Sequence, residues 1–232
     1  MPPVPYLVIT AVGFTLALWL TVAAGRRREA DLRNRLLDVT VELEQANARL
    51  EEMTTRDDLT GSRNRGYFFQ QVDGECRRAG GAHEPVALVV ADIDSLKTLN
   101  EVYGLAEGDS ALARVAASMR AASRRLTDCV GRIGGEEFAI LLPGTSAEGA
   151  MAFAERVRRE IETLGIPNRH SPIRPVLTLS LGVACLPATS ESDGPARLVA
   201  AAERALSRSK ATGKNRVTLE ECAAAPAVAA PV

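Results

Sequence analysis

"GRIGGEEFAILLPG", Gly131–Gly144, sets two glycines and two glutamates between apolar residues. The run from Phe138 to Leu142 has no polar side chain and reads as a buried strand. "CVGRIGG", Cys129–Gly135, reads as the strand before it, so the two meet at a Gly134-Gly135-Glu136-Glu137 turn. Adjacent carboxylates at the mouth of a buried strand repel each other, so an unpartnered pair is costly. The glycines allow the turn and let another molecule approach the backbone closely.

A second pair of acids lies upstream. "PVALVVADID", Pro85–Asp94, is a continuous apolar run ending in two aspartates. Period two puts Asp92 and Asp94 on the same side of that strand. If the two strands are neighbours, Asp92 and Glu136 converge at the sheet edge. A hard divalent cation would remove their repulsion and prefers oxygen ligands. For either acid alone, capping a strand into solvent is the commoner case.

The rest of the region alternates helix and strand. "ALARVAASMRAASRRL", "AEGAMAFAERVRREIETL" and "PARLVAAAERALSRSKATG" have helical spacing, the last ending near Gly213. "VLTLSLGVAC" alternates Leu177, Leu179, Leu181 and Val183 against Thr178 and Ser180, which predicts one better-buried face. "NRVTLE" reads as a last edge strand. The fold class is α/β with a mixed sheet flanked by helices. "SLKTLNEVYG" reads as a short helix with Ser95 as its N-cap. Free amides at such a start attract phosphate, and Lys97, Lys210 and Lys214 can add positive charge. "SKATGKN" lacks the upstream glycine of a P-loop, so phosphates bound here are held some other way.

Composition narrows the function classes. The chain has 232 residues, is 46% apolar and 25% charged, and carries a net charge of −1. That balance gives no case for nucleic acid as a partner. Cys76, Cys129, Cys185 and Cys222 form no CxxC pair and read as free thiols in a reducing compartment. With only His83 and His170 present, a histidine metal site or a Ser-His-Asp triad is improbable.

Two segments precede the domain. Residues 4–25, "VPYLVITAVGFTLALWLTVAAG", carry no charge and are long enough to cross a bilayer as a helix. Arg26-Arg27-Arg28 follows, which favours a cytoplasmic C-terminal side. The expectation is an uncleaved anchor over 1–25, single-pass in the inner (cytoplasmic) membrane; a signal cleaved near Ala23 and Ala24 is the competing reading. Over 26–56, Leu32, Leu36, Val39, Leu43, Ala46, Leu50 and Met53 repeat at alternating spacings of four and three, a heptad seam that suits a parallel coiled-coil dimer. A lone amphipathic helix lying on the domain is the alternative. The domain is expected over 57–220. Residues 221–232 read as a disordered Ala/Pro tail.

"DDLTGSRNR", "ADIDSLKTLNEVYGLAEGDSAL", "GRIGGEEFAILLP", "LTLSLGVA" and "AERALSRSKATGKNRV" together resemble the GGDEF domain of diguanylate cyclases, from about Asp57 to Leu219. The resemblance implies a fold related to nucleotidyl cyclases and polymerase palm domains. It implies condensation of two GTP into cyclic di-GMP by a homodimer with Mg²⁺ or Mn²⁺. It implies that Asp92, the Ile93 carbonyl and Glu136 hold the metal, and that Glu137 helps orient the attacking hydroxyl. Asn100 and Asp109 would read guanine. Amides around Ser95, Leu96 and Lys97, with Lys210 and Lys214, would hold phosphates, while Gly134 and Gly135 let the turn lie against the nucleotide. "RLTD", Arg125–Asp128, resembles the family's inhibitory RxxD site, with Arg156 as a further contact to cyclic di-GMP. Leu96, Glu101, Leu105, Glu203 and Ser207 depart from the family's usual residues, at none of its metal or guanine positions. Two other readings fit less of the pattern: a degenerate domain that binds GTP or cyclic di-GMP and signals by contact, and a membrane-anchored coiled-coil scaffold.

Overall fold

The computed structural model describes residues 55–187 and 194–222, with Arg33, Arg35, Val39 and Thr40 of a preceding helical stretch. The expected anchor, most of the heptad seam and the segment 223–232 lie outside the described residues. Among the described residues no helix is long and apolar enough to cross a membrane. The chain divides into two units, 1–53 and 54–232.

In the second unit the order is α1 (Arg65–Ala82), β1 (Val86–Asp94), α2 (Leu96–Tyr103), α3 (Leu105–Ala122), β2 (Cys129–Arg132), β3 (Glu137–Pro143), α4 (Ala147–Thr163), β4 (Thr178–Leu186), α5 (Gly194–Ala211) and β5 (Val217–Glu221). The sheet order is β2-β3-β1-β4-β5. β1 pairs antiparallel with β3 and β4, β2 with β3, and β5 joins β4 in parallel at the edge.

Strand periodicity sorts β1 between two cores. Ala87, Val89, Ala91 and Ile93 face one layer with Leu99, Val115, Met119, Val157 and Ile161 of α2, α3 and α4. Val86, Leu88 and Val90 face the other with Phe68, Val72, Leu198, Ala202 and Leu206 of α1 and α5. Asp92 and Asp94 continue the second series, so both acids emerge on the α5 side. Buried side chains of this size contribute about 1.5–3 kcal/mol each. The register between β1 and β3 is therefore firm up to its last pair, Asp92 and Glu137.

β4 departs from the expected half-buried pattern, because helices cover both faces of the sheet. Thr178 and Ser180 are fully buried rather than facing solvent, and both hydroxyls donate to Asp94. Gly182 has no side chain because α5 lies directly on it. A Cβ there would fall 2.2 Å from the Leu206 nitrogen and 2.3 Å from the Ala202 carbonyl. This close approach brings the C-terminal turn of α5 to the end of β1. α1 was not singled out from sequence, although Asn64 caps it by accepting from the Tyr67 N–H at 2.9 Å and it buries Phe68, Val72, Cys76 and Ala79 at helical spacing. All four cysteines are free, with Cys76 and Cys222 buried.

Candidate active site

The Gly134-Gly135-Glu136-Glu137 turn does join β2 to β3. The Ile133 and Gly134 N–H groups both donate to the Glu137 carbonyl, at 2.9 and 3.2 Å. Neither glycine has a positive φ, so backbone strain is not what selects them. A Cβ at Gly134 would lie 2.6 Å from Glu137 Oε2, while a Cβ at Gly135 would meet nothing within 4 Å. Within the chain itself, nothing demands glycine at 135; the exposed space above it does so only if something else fills it. Arg132 holds this turn by donating to the Gly135 carbonyl through Nε (3.2 Å) and Nη2 (2.7 Å). Its Nη1 reaches both Asp57 oxygens at 3.3 Å. Burial acts to raise the Asp57 pKa, but hydrogen bonds from Thr60 and the Arg132 charge outweigh it and hold that carboxyl below its usual value.

Asp92 and Glu136 converge as the strand positions require. The Ile93 N–H donates to the Glu136 carbonyl at 3.2 Å, stitching the turn to the end of β1. A strand residue's N–H and C=O project to the same side, so the Ile93 carbonyl points past the end of β3 toward this turn. Asp92 is 5% exposed. Burial raises its pKa, and Glu137 and Asp94 push the same way, while Lys210 opposes them. Glu136 is raised by burial and then by Asp92, with Lys210 and Lys214 opposing. Asp92 is paired with an ammonium: Lys210 Nζ lies 2.7 Å from its Oδ2.

A divalent cation suits this donor set. Two carboxylates whose charges burial disfavours, with a carbonyl at the end of the same strand, are hard oxygen donors of the kind a divalent cation takes from protein. Among the described residues no cage of three or more His, Cys, Asp or Glu side chains occurs. Asp94 is not a free donor either. Its Oδ1 accepts from Ser180 Oγ at 2.7 Å, and its Oδ2 from Thr178 Oγ1 at 2.8 Å and the Asn215 N–H at 3.0 Å.

The remaining expected residues line the same end of the sheet. Ser95 stands at the N-cap position of α2, but not as the expected cap: its φ and ψ are 59° and 34°, left-handed, and its hydroxyl makes no capping bond. Its carbonyl instead accepts from Asn168 Nδ2 at 3.3 Å. The first-turn amides of α2 thus have no side-chain cap. Leu96 is buried, and Lys97 is 88% exposed with Glu101 at 3.8 Å. The Asn100 amide oxygen is buried without a partner. It packs where a Cβ on Gly108 would stand, so the absence of a side chain at 108 is what lets Asn100 seat against α3, and Asp109, the next residue, is exposed. An orphaned buried acceptor such as the Asn100 oxygen is costly unless a ligand supplies a donor.

A second cluster forms at the other end of β2. Arg125, Asp128 and Arg156 line one cavity of about 300 Å³ with Thr145, Leu142 and Phe153. Arg125 Nη1 donates to Thr145 Oγ1 at 3.2 Å, and the Asp128 Oδ1 is buried with no partner. Arg156 donates to the Ala122 carbonyl at 3.2 Å and stacks 5.1 Å from the Phe153 ring centre. A larger groove of about 680 Å³ between α3 and α4 shares Arg156 but contains none of the acids above.

Sequence reasoning missed Asp57, Arg132, Asn168 and the role of Asp94. The spacing of Asp92, Asp94, Thr178 and Ser180 on inward strand positions was the available signal for the last.

Residues 54–216 match the family described as diguanylate cyclase, GGDEF domain. Diguanylate cyclase A of Treponema denticola is 37% identical over 178 residues, 75% of this chain and 47% of that protein. The chain spans less than half the length of the curated relatives it matches. Among solved structures, the coiled coil and GGDEF domain of DgcB from Caulobacter crescentus, in complex with c-di-GMP, is 29% identical with a TM-score of 0.64, covering 82% of this chain and 99% of that one. The active GGEEF domain of a diguanylate cyclase from Vibrio cholerae is 27% identical with a TM-score of 0.60, covering 67% of this chain and 96% of that one. With that match over most of its length and the fold to go with it, the chain belongs to the diguanylate cyclase GGDEF domain family.

Proposed function

We propose that the protein is a diguanylate cyclase, condensing two GTP into cyclic di-GMP and two pyrophosphates as a homodimer with Mg²⁺ or Mn²⁺. The observation that carries this reading is the meeting of Asp92, Glu136, Lys210 and Lys214 beside an open Gly134-Gly135 turn. Asp92, Glu136 and the Ile93 carbonyl would hold the metal, whose chemistry when bound is to make the ribose 3′-OH more acidic and screen the α-phosphate charge.

The chain's own groups do the rest. The Asp109 carboxylate accepts from the guanine N1–H and N2–H, and Asn100 bonds the same base. Uncapped amides around Ser95, Leu96 and Lys97 take the outer phosphates. Lys210 moves from Asp92 to phosphate, and Lys214 joins it. Glu137, beside Gly134, orients the attacking hydroxyl. The 3′-oxygen of one GTP bonds to the α-phosphorus of the other while the bond from that phosphorus to pyrophosphate breaks; the hydroxyl proton goes to solvent. The same exchange in the other direction closes the ring. Each domain binds one GTP, so two domains must face each other.

The heptad seam supports pairing by a coiled coil, and Val39, one of its residues, is 60% exposed within its own chain. Residues 4–25 would anchor the protein in the cytoplasmic membrane with the catalytic domain in the cytoplasm. Arg125, Asp128 and Arg156 would bind cyclic di-GMP and restrain the dimer. Incubating purified protein with GTP and Mg²⁺ and identifying products by mass tests the activity. Cyclic di-GMP with two pyrophosphates supports it; GTP bound but never converted would make the chain a nucleotide-binding signalling module.

A further inference from the structure

We infer that Asp94 is a positioning residue for the turn that carries Lys214, and that Arg158 of α4 fixes the same turn through Asn215. The inference rests on the reading that Lys210 and Lys214 hold GTP phosphates.

Asp94 is 1% exposed and two residues from Asp92 on the same face of β1. By position alone it would be taken for a third metal ligand. Its hydrogen bonds say otherwise. Both oxygens are occupied by donors from β4 and from the turn after α5: Ser180 and Thr178 hydroxyls at 2.7 and 2.8 Å, and the Asn215 N–H at 3.0 Å. Asp92, by contrast, faces a flexible ammonium that can leave. One aspartate is free for a ligand; the other is committed to the scaffold.

What it secures is an unusual turn. Lys214 and Asn215 have φ values of 60° and 46°, two successive non-glycine residues in the left-handed region. Such conformations persist only where surrounding contacts fix them. Here the Lys214 N–H donates to the Ser209 carbonyl at 3.0 Å and the Asn215 N–H to Asp94. The Asn215 side-chain oxygen accepts from Arg158 Nη1 at 2.8 Å. Arg158 is itself held by Glu155 and Glu162 at 2.8 and 2.9 Å, with its side chain 14% exposed. The turn is thus pinned from β1 and from α4, both through Asn215 next to Lys214. Lys214 stands on this turn four residues past Lys210, whose ammonium reaches Asp92. Releasing either pin lets the Lys214 ammonium wander from the phosphate position while the Asp92 and Glu136 carboxylates keep their places. Substrate affinity then falls, while metal affinity and the chemical step do not.

Calorimetric titration with a non-hydrolysable GTP analogue in Mg²⁺, alongside cyclic di-GMP synthesis at varied GTP and Mg²⁺, tests this on the full chain. Arg158→Ala and Asn215→Gly each remove the side-chain link, and glycine keeps the left-handed conformation. Both are expected to weaken analogue binding and raise KM by about tenfold, the scale of one hydrogen bond to a charged group. The value of kcat and the Mg²⁺ midpoint at saturating GTP stay unchanged, and the double variant is no worse than the worse single one. Asp94→Asn turns one of the two accepting oxygens into a donor facing donors, so it loosens the hold on the turn and is expected to raise KM without raising the Mg²⁺ midpoint. Ser180→Ala, which removes one donor to Asp94, serves if Asp94→Asn does not fold, and is expected to move KM the same way. Unchanged analogue affinity in Arg158→Ala and Asn215→Gly overturns the inference, as does a raised Mg²⁺ midpoint in Asp94→Asn, the sign of a lost metal ligand. If the parent binds the analogue but makes no product, the activity reading fails while the affinities still decide this one. A parent that binds no GTP analogue removes both.

Discussion

Lys210 closes on Asp92, ammonium to carboxylate at 2.7 Å, from a helix held against β4 by the bare backbone of Gly182. The pair joins the C-terminal turn of α5 to the last turnward-facing acid of β1. The Asp92 and Glu136 charges are disfavoured by burial, and only a positive partner restores them.

The first expectation is a stability change of unusual sign. Glu136 has a raised pKa in the folded chain, from burial and then Asp92. Between the ordinary carboxylate range and that raised value, the folded chain keeps a proton the unfolded chain has lost. Stability without metal therefore falls as pH rises through this window. Glu136→Gln cannot ionise, so at pH 7 without metal it is expected to melt at or slightly above the parent, the gain kept small by solvent screening. Added Mg²⁺ raises the parent's melting temperature and not the variant's. Thermal scans with and without Mg²⁺ check it; a clearly lower melting point for the metal-free variant contradicts the electrostatic assignment.

Gly135→Ala separates folding from binding. The added methyl meets nothing in the chain, so thermal stability is expected to change by less than about 0.5 kcal/mol. The same methyl intrudes where the nucleotide is proposed to lie, so KM for GTP should rise by about tenfold or more. Unaltered KM would mean that the space above this turn is not part of the substrate site.

Much of this was legible in sequence because the cues are local. Continuous apolar runs gave β1 and β3, and the Gly-Gly-Glu-Glu stretch gave the meeting of β2 with β3. The two-sided burial of β4 was not, because Thr178 and Ser180 look like solvent residues until Asp94 of another strand is placed opposite them. The Ser95 cap failed for a similar reason: Asn168, a loop residue far along the chain, holds the carbonyl of a left-handed Ser95. Arg132 bridging Asp57 and Gly135 joins chain segments 75 residues apart, which no periodicity reveals. The gathering of Arg125, Asp128 and Arg156 in one cavity followed from the motif and from helix α4 lying where its apolar stripe directed it.

The heptad seam gives a third expectation. Leu36→Lys with Leu43→Lys puts charge into the proposed apolar interface, at a cost of several kcal/mol per dimer. Light scattering of the segment from residue 26 onward should show more monomer, and specific activity should fall steeply on dilution. Activity per molecule that stays flat on dilution would show that this helix is not what pairs the domains.

The product cavity gives a fourth. Arg125→Ala removes a planar fork for phosphate or guanine, and Asp128→Ala an acceptor for the guanine N1/N2 edge. Arg124 lines the same cavity and can substitute in part, so Asp128→Ala is the cleaner variant. Both are expected to weaken cyclic di-GMP binding by at least about tenfold and raise final product yield, with initial rates unchanged. Calorimetry showing parent-like cyclic di-GMP affinity in both variants would remove this cavity from the regulatory scheme.

The most direct measurement is cyclic di-GMP synthesis by parent and Glu136→Gln, purified together and compared by circular dichroism and melting temperature before assay. The parent is expected to convert two GTP into one cyclic di-GMP and two pyrophosphates, and the equally folded variant to lose that activity by about two orders of magnitude or more. A folded Glu136→Gln that turns over GTP at near the parent rate, or a parent that makes no cyclic di-GMP with Mg²⁺ or Mn²⁺, would contradict it.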